Sequence, residues 1–83
     1  METLKTEGIA ENTLVFFTSD NGPWLIMGDQ GGSAGLLREG KGSTWEGGMR
    51  VPCIAWWPGK VRAGEVNRDI ACNLDLFNTT LEL

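Results

Sequence analysis

Histidine is missing from all 83 residues of this chain. A Ser-His-Asp or Cys-His nucleophile therefore cannot be assembled within it, nor can an HExxH or Cys2His2 zinc site. Cysteine is almost as scarce. Cys53 and Cys72 form no CxxC pair, so neither zinc nor thiol redox chemistry is indicated. They read as two buried thiols acting as small hydrophobes, or as a Cys53–Cys72 disulfide. The seven basic residues are scattered and the formal net charge is −4. That leaves no electrostatic footprint for nucleic acid or an anionic membrane. No apolar run approaches the roughly 18 residues that a membrane span needs. The opening "METLKTEGIAEN" has neither the basic region nor the apolar stretch of a signal peptide. On these grounds the chain reads as soluble. A chain of 83 residues is at most one domain, and one this short buries only about 60–65% of its unfolded surface.

What is present follows an α/β plan. Glu2–Glu7 resembles the last turns of a helix, with Gly8 as its C-terminal cap and "AEN" as the turn beyond. Thr13–Thr18 and Val51–Trp57 are predicted strands. Their runs "LVFF" and "VPCIAWW" are apolar without alternation, as in strands of a parallel sheet covered on both faces. From Asp75 onward, "DLFNTTLEL" predicts a helix with an acidic N-cap. A sheet buried on both faces needs helices on both sides, and the chain offers one partial helix at each end. The expectation is a partial piece, residues 1–83, of a larger α/β catalytic domain, with the remainder of that domain as its partner.

Between the strands, residues 28–48 read "GDQGGSAGLLREGKGSTWEGG" and hold eight of the twelve glycines. A loop of this length is functional or disordered, and the interleaved Leu36, Leu37 and Trp45 argue against disorder. Gly35, Gly40 and Lys41 match the GxxxxGK spacing of a P-loop. That motif, however, joins a strand directly to a helix, and Gly47, Gly48 and Pro52 are not expected to open one. What survives is a lysine on glycine-rich backbone with free N–H groups, suited to an oxyanion.

Where the first strand stops stands "TSDNGP", Thr18 to Pro23. In a regular strand Asp20 and Asn21 would face opposite ways, so they converge only if the chain turns there, as Gly22 and Pro23 suggest. A carboxylate and an amide carbonyl are hard oxygen donors for Ca²⁺ or Mg²⁺. The alternative is a turn whose side chains bond to nearby backbone. Two ligands cannot fill the six to eight positions of calcium, so the others would come from outside the chain.

Taken together, "LVFFTSDNGP", "GGSAGLLREGKGSTWEGGMRVPCIAWWPG" and "NLDLFNTTLEL" resemble the latter part of the catalytic domain of the sulfatase family. The resemblance runs from about Leu4 to Leu83. It implies an alkaline-phosphatase-like α/β fold, with a mixed sheet between helices. It also implies hydrolysis of sulfate esters by a cysteine-derived formylglycine beside one Ca²⁺ ion. By position, Asp20 and Asn21 resemble the family's metal-binding pair, and Lys41 the lysine that contacts the substrate sulfate and serves catalysis. The implied partner is a sulfate ester of a glycolipid, glycosaminoglycan or aryl alcohol, and the implied location lysosomal or secreted.

The departures from the family are equally specific. The formylglycine precursor occupies a Cys-x-Pro-x-Arg setting, whereas Cys53 precedes Ile-Ala and Cys72 precedes Asn-Leu. The nucleophile is therefore expected upstream, and the isolated chain is expected to be inactive. Glu39 stands where some relatives have a cysteine, and Val51 where an acid is common. Trp56 and Trp57 are expected to pack, Trp24 and Trp45 are the better cleft candidates, and Arg50 is expected to bond loop carbonyls or a carboxylate. "NTT" at Asn78 satisfies the N-glycosylation pattern. The alternative to a sulfatase piece is a non-catalytic truncated chain or anion-binding module. Coding sequence running upstream in frame through Cys-x-Pro-x-Arg would favour the sulfatase.

Overall fold

The computed structural model describes residues 1–83. Helix α1 spans Glu2–Thr6 and ends at Gly8, whose φ of 70° is the left-handed cap that lets the chain reverse. A 3₁₀ turn over Ala10–Asn12 then leads into strand β1, Val15–Thr18. A second 3₁₀ segment, Leu25–Gln30, opens the long connection. Helix α2, Glu46–Met49, closes it. Strand β2, Cys53–Trp56, and helix α3, Asn73–Glu82, complete the chain.

The two strands form one antiparallel ladder in which Val15, Phe16, Phe17 and Thr18 face Trp56, Ala55, Ile54 and Cys53. This corrects the expected parallel character. A continuous apolar run reports cover on two faces and not strand direction, and an antiparallel pair inside a mixed sheet meets the same requirement. Two side-chain bonds fasten its ends. The Thr18 hydroxyl donates to the Pro52 carbonyl at 2.9 Å, and the Trp57 indole N–H donates to the Glu11 carbonyl at 2.7 Å. The second bond ties the turn before β1 to the residue after β2.

Three further expectations are corrected. Gly47 and Gly48 do sit in a helix, the single turn α2, because Trp45 and Glu46 carbonyls accept the Gly48 and Arg50 N–H groups at 2.8 Å each. Helix α3 starts two residues before Asp75. Its N-cap is Cys72, and Asp75 at the third helical position reaches back to accept the Cys72 N–H at 2.7 Å in a capping box. Both cysteines are exposed free thiols, neither buried nor joined in a disulfide. Cys72 is held outside by its capping role, and Cys53 lies on a sheet face that nothing in this chain covers.

The opposite face of the ladder, which carries Phe17 and Ile54, is uncovered as well, and this exposure dominates the energetics. Ala10 is the one apolar residue counted as buried, while Phe17 and Ile54, directly opposed across the ladder, are 70% and 60% exposed. The accessible surface is 7313 Å², against roughly 4,900 Å² for a compact chain of this mass. The radius of gyration is 15.5 Å, against roughly 12 Å for a compact domain of this length. Main-chain hydrogen bonds number 35, where about 55–60 are typical of a folded chain this long. The elements are built; the core that should hold them is not supplied by these residues. No helix is long and apolar enough to cross a membrane.

Candidate functional site

Four of the five buried residues are glycines: Gly22, Gly40, Gly47 and Gly48. They mark where the chain folds backbone upon backbone. The Gly22 N–H donates to the Gly48 carbonyl at 2.9 Å, the Lys41 N–H to the Pro23 carbonyl at 2.8 Å, and the Gly47 N–H to the Arg38 carbonyl at 2.8 Å. A methyl group on Gly22 would collide with the Gly47 carbonyl, and one on Gly47 with the Glu39 carbonyl. Glycine is required here because the backbones leave no room for a Cβ. The turn after β1 and the loop around Lys41 are thereby locked into one unit, although 20 positions separate Asn21 from Lys41.

Asp20 and Asn21 lie on the bend that follows β1. Their side chains meet, the Asn21 amide nitrogen donating to Asp20 Oδ2. The Ser19 hydroxyl donates to the Asn21 carbonyl at 2.9 Å and braces the bend. Leaving the strand does bring the two side chains together, as Gly22 and Pro23 suggested. Asp20 is exposed and Asn21 half-buried.

A cleft of about 440 Å³ opens beside this unit, and Ser19, Asn21, Trp24, Lys41 and Arg50 stand on its wall. Asp20 is not on that wall; it is joined to it through Asn21. Lys41 also borders a second cleft of about 270 Å³, shared with Trp24, Ile26 and Glu39. Its ammonium lies 5.8 Å from the centre of the Trp24 ring. Trp24 is therefore a cleft residue, as expected, whereas Trp45 is covered by the Arg38 guanidinium 3.9 Å above its ring. Arg50 bonds Glu46 at 3.5 Å, the expected carboxylate partner, but it also faces the larger cleft. Sequence reasoning missed that placement and Ser19. A lone hydroxyl before an Asp-Asn pair carries no spacing signal, and Arg50 reaches the cleft only because Gly48 is pinned to Gly22.

Glu39 adopts a left-handed φ of 62°, unusual for a side chain of its size. Its neighbours explain the conformation: the Arg38 carbonyl must turn to meet the Gly47 N–H, and Lys41 must return to Pro23. Asn78 lies exposed on α3, distant in sequence from these loops. Neither Cys53 nor Cys72 lines either of these two clefts. No three His, Cys, Asp or Glu side chains are gathered into one group.

Chemically, one polar opening is lined by the Asn21 amide, an unpaired ammonium and a guanidinium, with the Asp20 carboxylate bonded to Asn21 beside it. Such a set suits a tetrahedral oxyanion and, with further ligands, a hard cation. Comparison with known proteins gives the same direction. The chain is 52% identical over 84 residues to human N-acetylgalactosamine-6-sulfatase, which matches 100% of the chain and 16% of that relative. Human arylsulfatase A is 50% identical over 76 residues, covering 92% of the chain and 15% of the relative. An arylsulfatase of Hemicentrotus pulcherrimus is 39% identical over 83 residues, covering 100% of the chain and 15% of the relative. The chain thus spans about a sixth of the length of these relatives. The family model described as Sulfatase matches residues 1–83, so the Asp-Asn bend, the glycine-locked lysine and the strand that follows are all parts of a member of the sulfatase family.

Proposed function

We propose that this chain supplies the sulfate-contacting lysine and part of the metal cage of a Ca²⁺-dependent enzyme that hydrolyses sulfate esters. The observation that carries the reading is that Asn21 and Lys41 share the wall of one cleft while a main-chain bond of 2.8 Å from Lys41 to Pro23 holds their loops together. Family membership supports the reaction class. The names of the relatives point to sulfated hexosamines and aryl sulfates as the substrate types to try first. A lysosomal or secreted location belongs to the same proposal.

The donor chemistry at the bend fits a calcium ion in part. The Asp20 carboxylate and the Asn21 amide oxygen are both hard ligands on adjacent residues, and they leave at least four positions for groups outside this chain. When bound, the cation supplies positive charge beside a sulfate oxygen. The nucleophile, a formylglycine in the family, likewise lies outside this chain, because neither Cys53 nor Cys72 has its sequence setting.

Lys41 acts on the anion directly. As the S–O bond breaks, charge grows on the leaving oxygen and remains on the sulfonyl oxygens. A cation fixed beside them stabilises the transition state more than the ground state. The buried Gly40 and the Lys41–Pro23 bond hold the backbone at the cleft, and the compact ammonium meets a tetrahedral anion without the planar demand of arginine. In the full-length enzyme, Lys41→Ala should lower kcat about 10²- to 10³-fold. Its calcium content should stay normal. Arg38→Ala should change kcat little, since Arg38 is engaged with Trp45 and does not line the larger cleft. Equal kcat in Lys41→Ala and parent enzymes would remove the lysine from the reaction.

A further inference from the structure

The three cations of the loop region are not held alike: each arginine has a carboxylate partner and the lysine has none. Arg38 lies over Trp45 at 3.9 Å and also pairs with Glu39 at 3.9 Å, and Arg50 pairs with Glu46 at 3.5 Å. Lys41 forms no ion pair within the chain, and the group that faces its ammonium is the Trp24 ring, 5.8 Å away. The difference has a chemical consequence. A carboxylate partner would fix the ammonium but cancel the charge that an anion must meet. An aromatic face attracts the ammonium through its quadrupole, carries no net charge and leaves the cation available.

The backbone of Trp24 is well anchored. Its main-chain N–H donates to the Gly31 carbonyl at 2.9 Å, and its main-chain carbonyl accepts the Met27 N–H at 3.0 Å. Gly31 approaches so closely that a methyl group there would collide with the Trp24 carbonyl. Trp24 is 49% exposed and forms part of the wall of both clefts that Lys41 borders. A four-carbon lysine stem would otherwise let the ammonium range over both openings. From this arrangement we infer that Trp24 is a positioning residue, whose indole face keeps the charged Lys41 ammonium at the sulfate-binding cleft without neutralising it. This rests on the role proposed above for Lys41.

The test uses the full-length enzyme with a chromogenic sulfate ester as substrate and inorganic sulfate as inhibitor. Trp24→Leu keeps apolar bulk and removes the π face, whereas Trp24→Phe keeps a face. Trp24→Leu should lower kcat/KM about 2- to 5-fold and weaken sulfate inhibition by a similar factor. Trp24→Phe should recover most of both. In a Lys41→Ala background, Trp24→Leu should have no further effect. Trp24 is overturned as a positioning residue if Leu and Phe behave alike, or if Trp24→Leu costs as much without the lysine as with it. Those outcomes leave the lysine's role standing. Parental turnover by Lys41→Ala, in contrast, would overturn both.

Discussion

At the scale of single residues, the site depends on groups that have no side chain. Gly22 and Gly47 allow the bend after β1 to lie on the backbone of α2, and that approach places Asn21 and Lys41 on one cleft. Gly22→Ala in the full-length protein should cost about 1–3 kcal/mol, because the Gly47 carbonyl must move. Its denaturant midpoint should fall, and turnover with it, while Leu36→Ala, at a fully exposed side chain, should leave both unchanged. Denaturant unfolding followed by fluorescence checks the first, and a sulfate-release assay the second. The Asp20–Asn21 bend was legible in the sequence because Gly22 and Pro23 announce a turn. That Gly22 also touches Gly47 was not legible. A glycine names no partner, and the contact is between backbones 25 positions apart.

At the scale of elements, position was easier to read than direction or termini. The apolar runs located both strands, although the ladder is shorter at each end than the runs, as Thr13 and Leu14 approach β1 and Val51 and Pro52 approach β2 outside it. Their antiparallel pairing was hidden, since two-sided burial produces the same run for either direction. The start of α3 was misplaced because an acidic residue is the commoner cap, whereas here Cys72 caps and Asp75 closes the box from within. Removing that bond should loosen the first turn. In Asp75→Ala the amides of residues 73–76 should exchange about fivefold faster with solvent, the equivalent of about 1 kcal/mol lost from a cap. Hydrogen exchange of the full-length protein read by mass spectrometry checks this, and unchanged protection would mean that packing outside the chain, not the cap, fixes α3.

At the scale of the whole molecule, the chain carries elements without a core. Its surface exceeds the compact expectation by roughly half, and paired apolar residues such as Phe17 and Ile54 face outward. Residues 1–83 expressed alone should therefore be molten or aggregate. A sharp thermal transition with well-dispersed amide resonances would contradict that expectation. The same residues alone should neither cleave a sulfate ester nor hold calcium tightly, because a ligand set rarely preforms without its fold.

If a calcium ion held at the Asp20–Asn21 bend and the Lys41 ammonium serve one anion, as proposed, sulfate binding must depend on both. Inorganic sulfate would be titrated calorimetrically into the full-length protein, with and without Ca²⁺, for the parent and for Lys41→Ala. The parent should bind more tightly with calcium present, and Lys41→Ala should lose about 10- to 100-fold of that affinity, the value of a hydrogen bond between charged groups. Sulfate affinity that is indifferent both to calcium and to the loss of Lys41 would contradict a shared site.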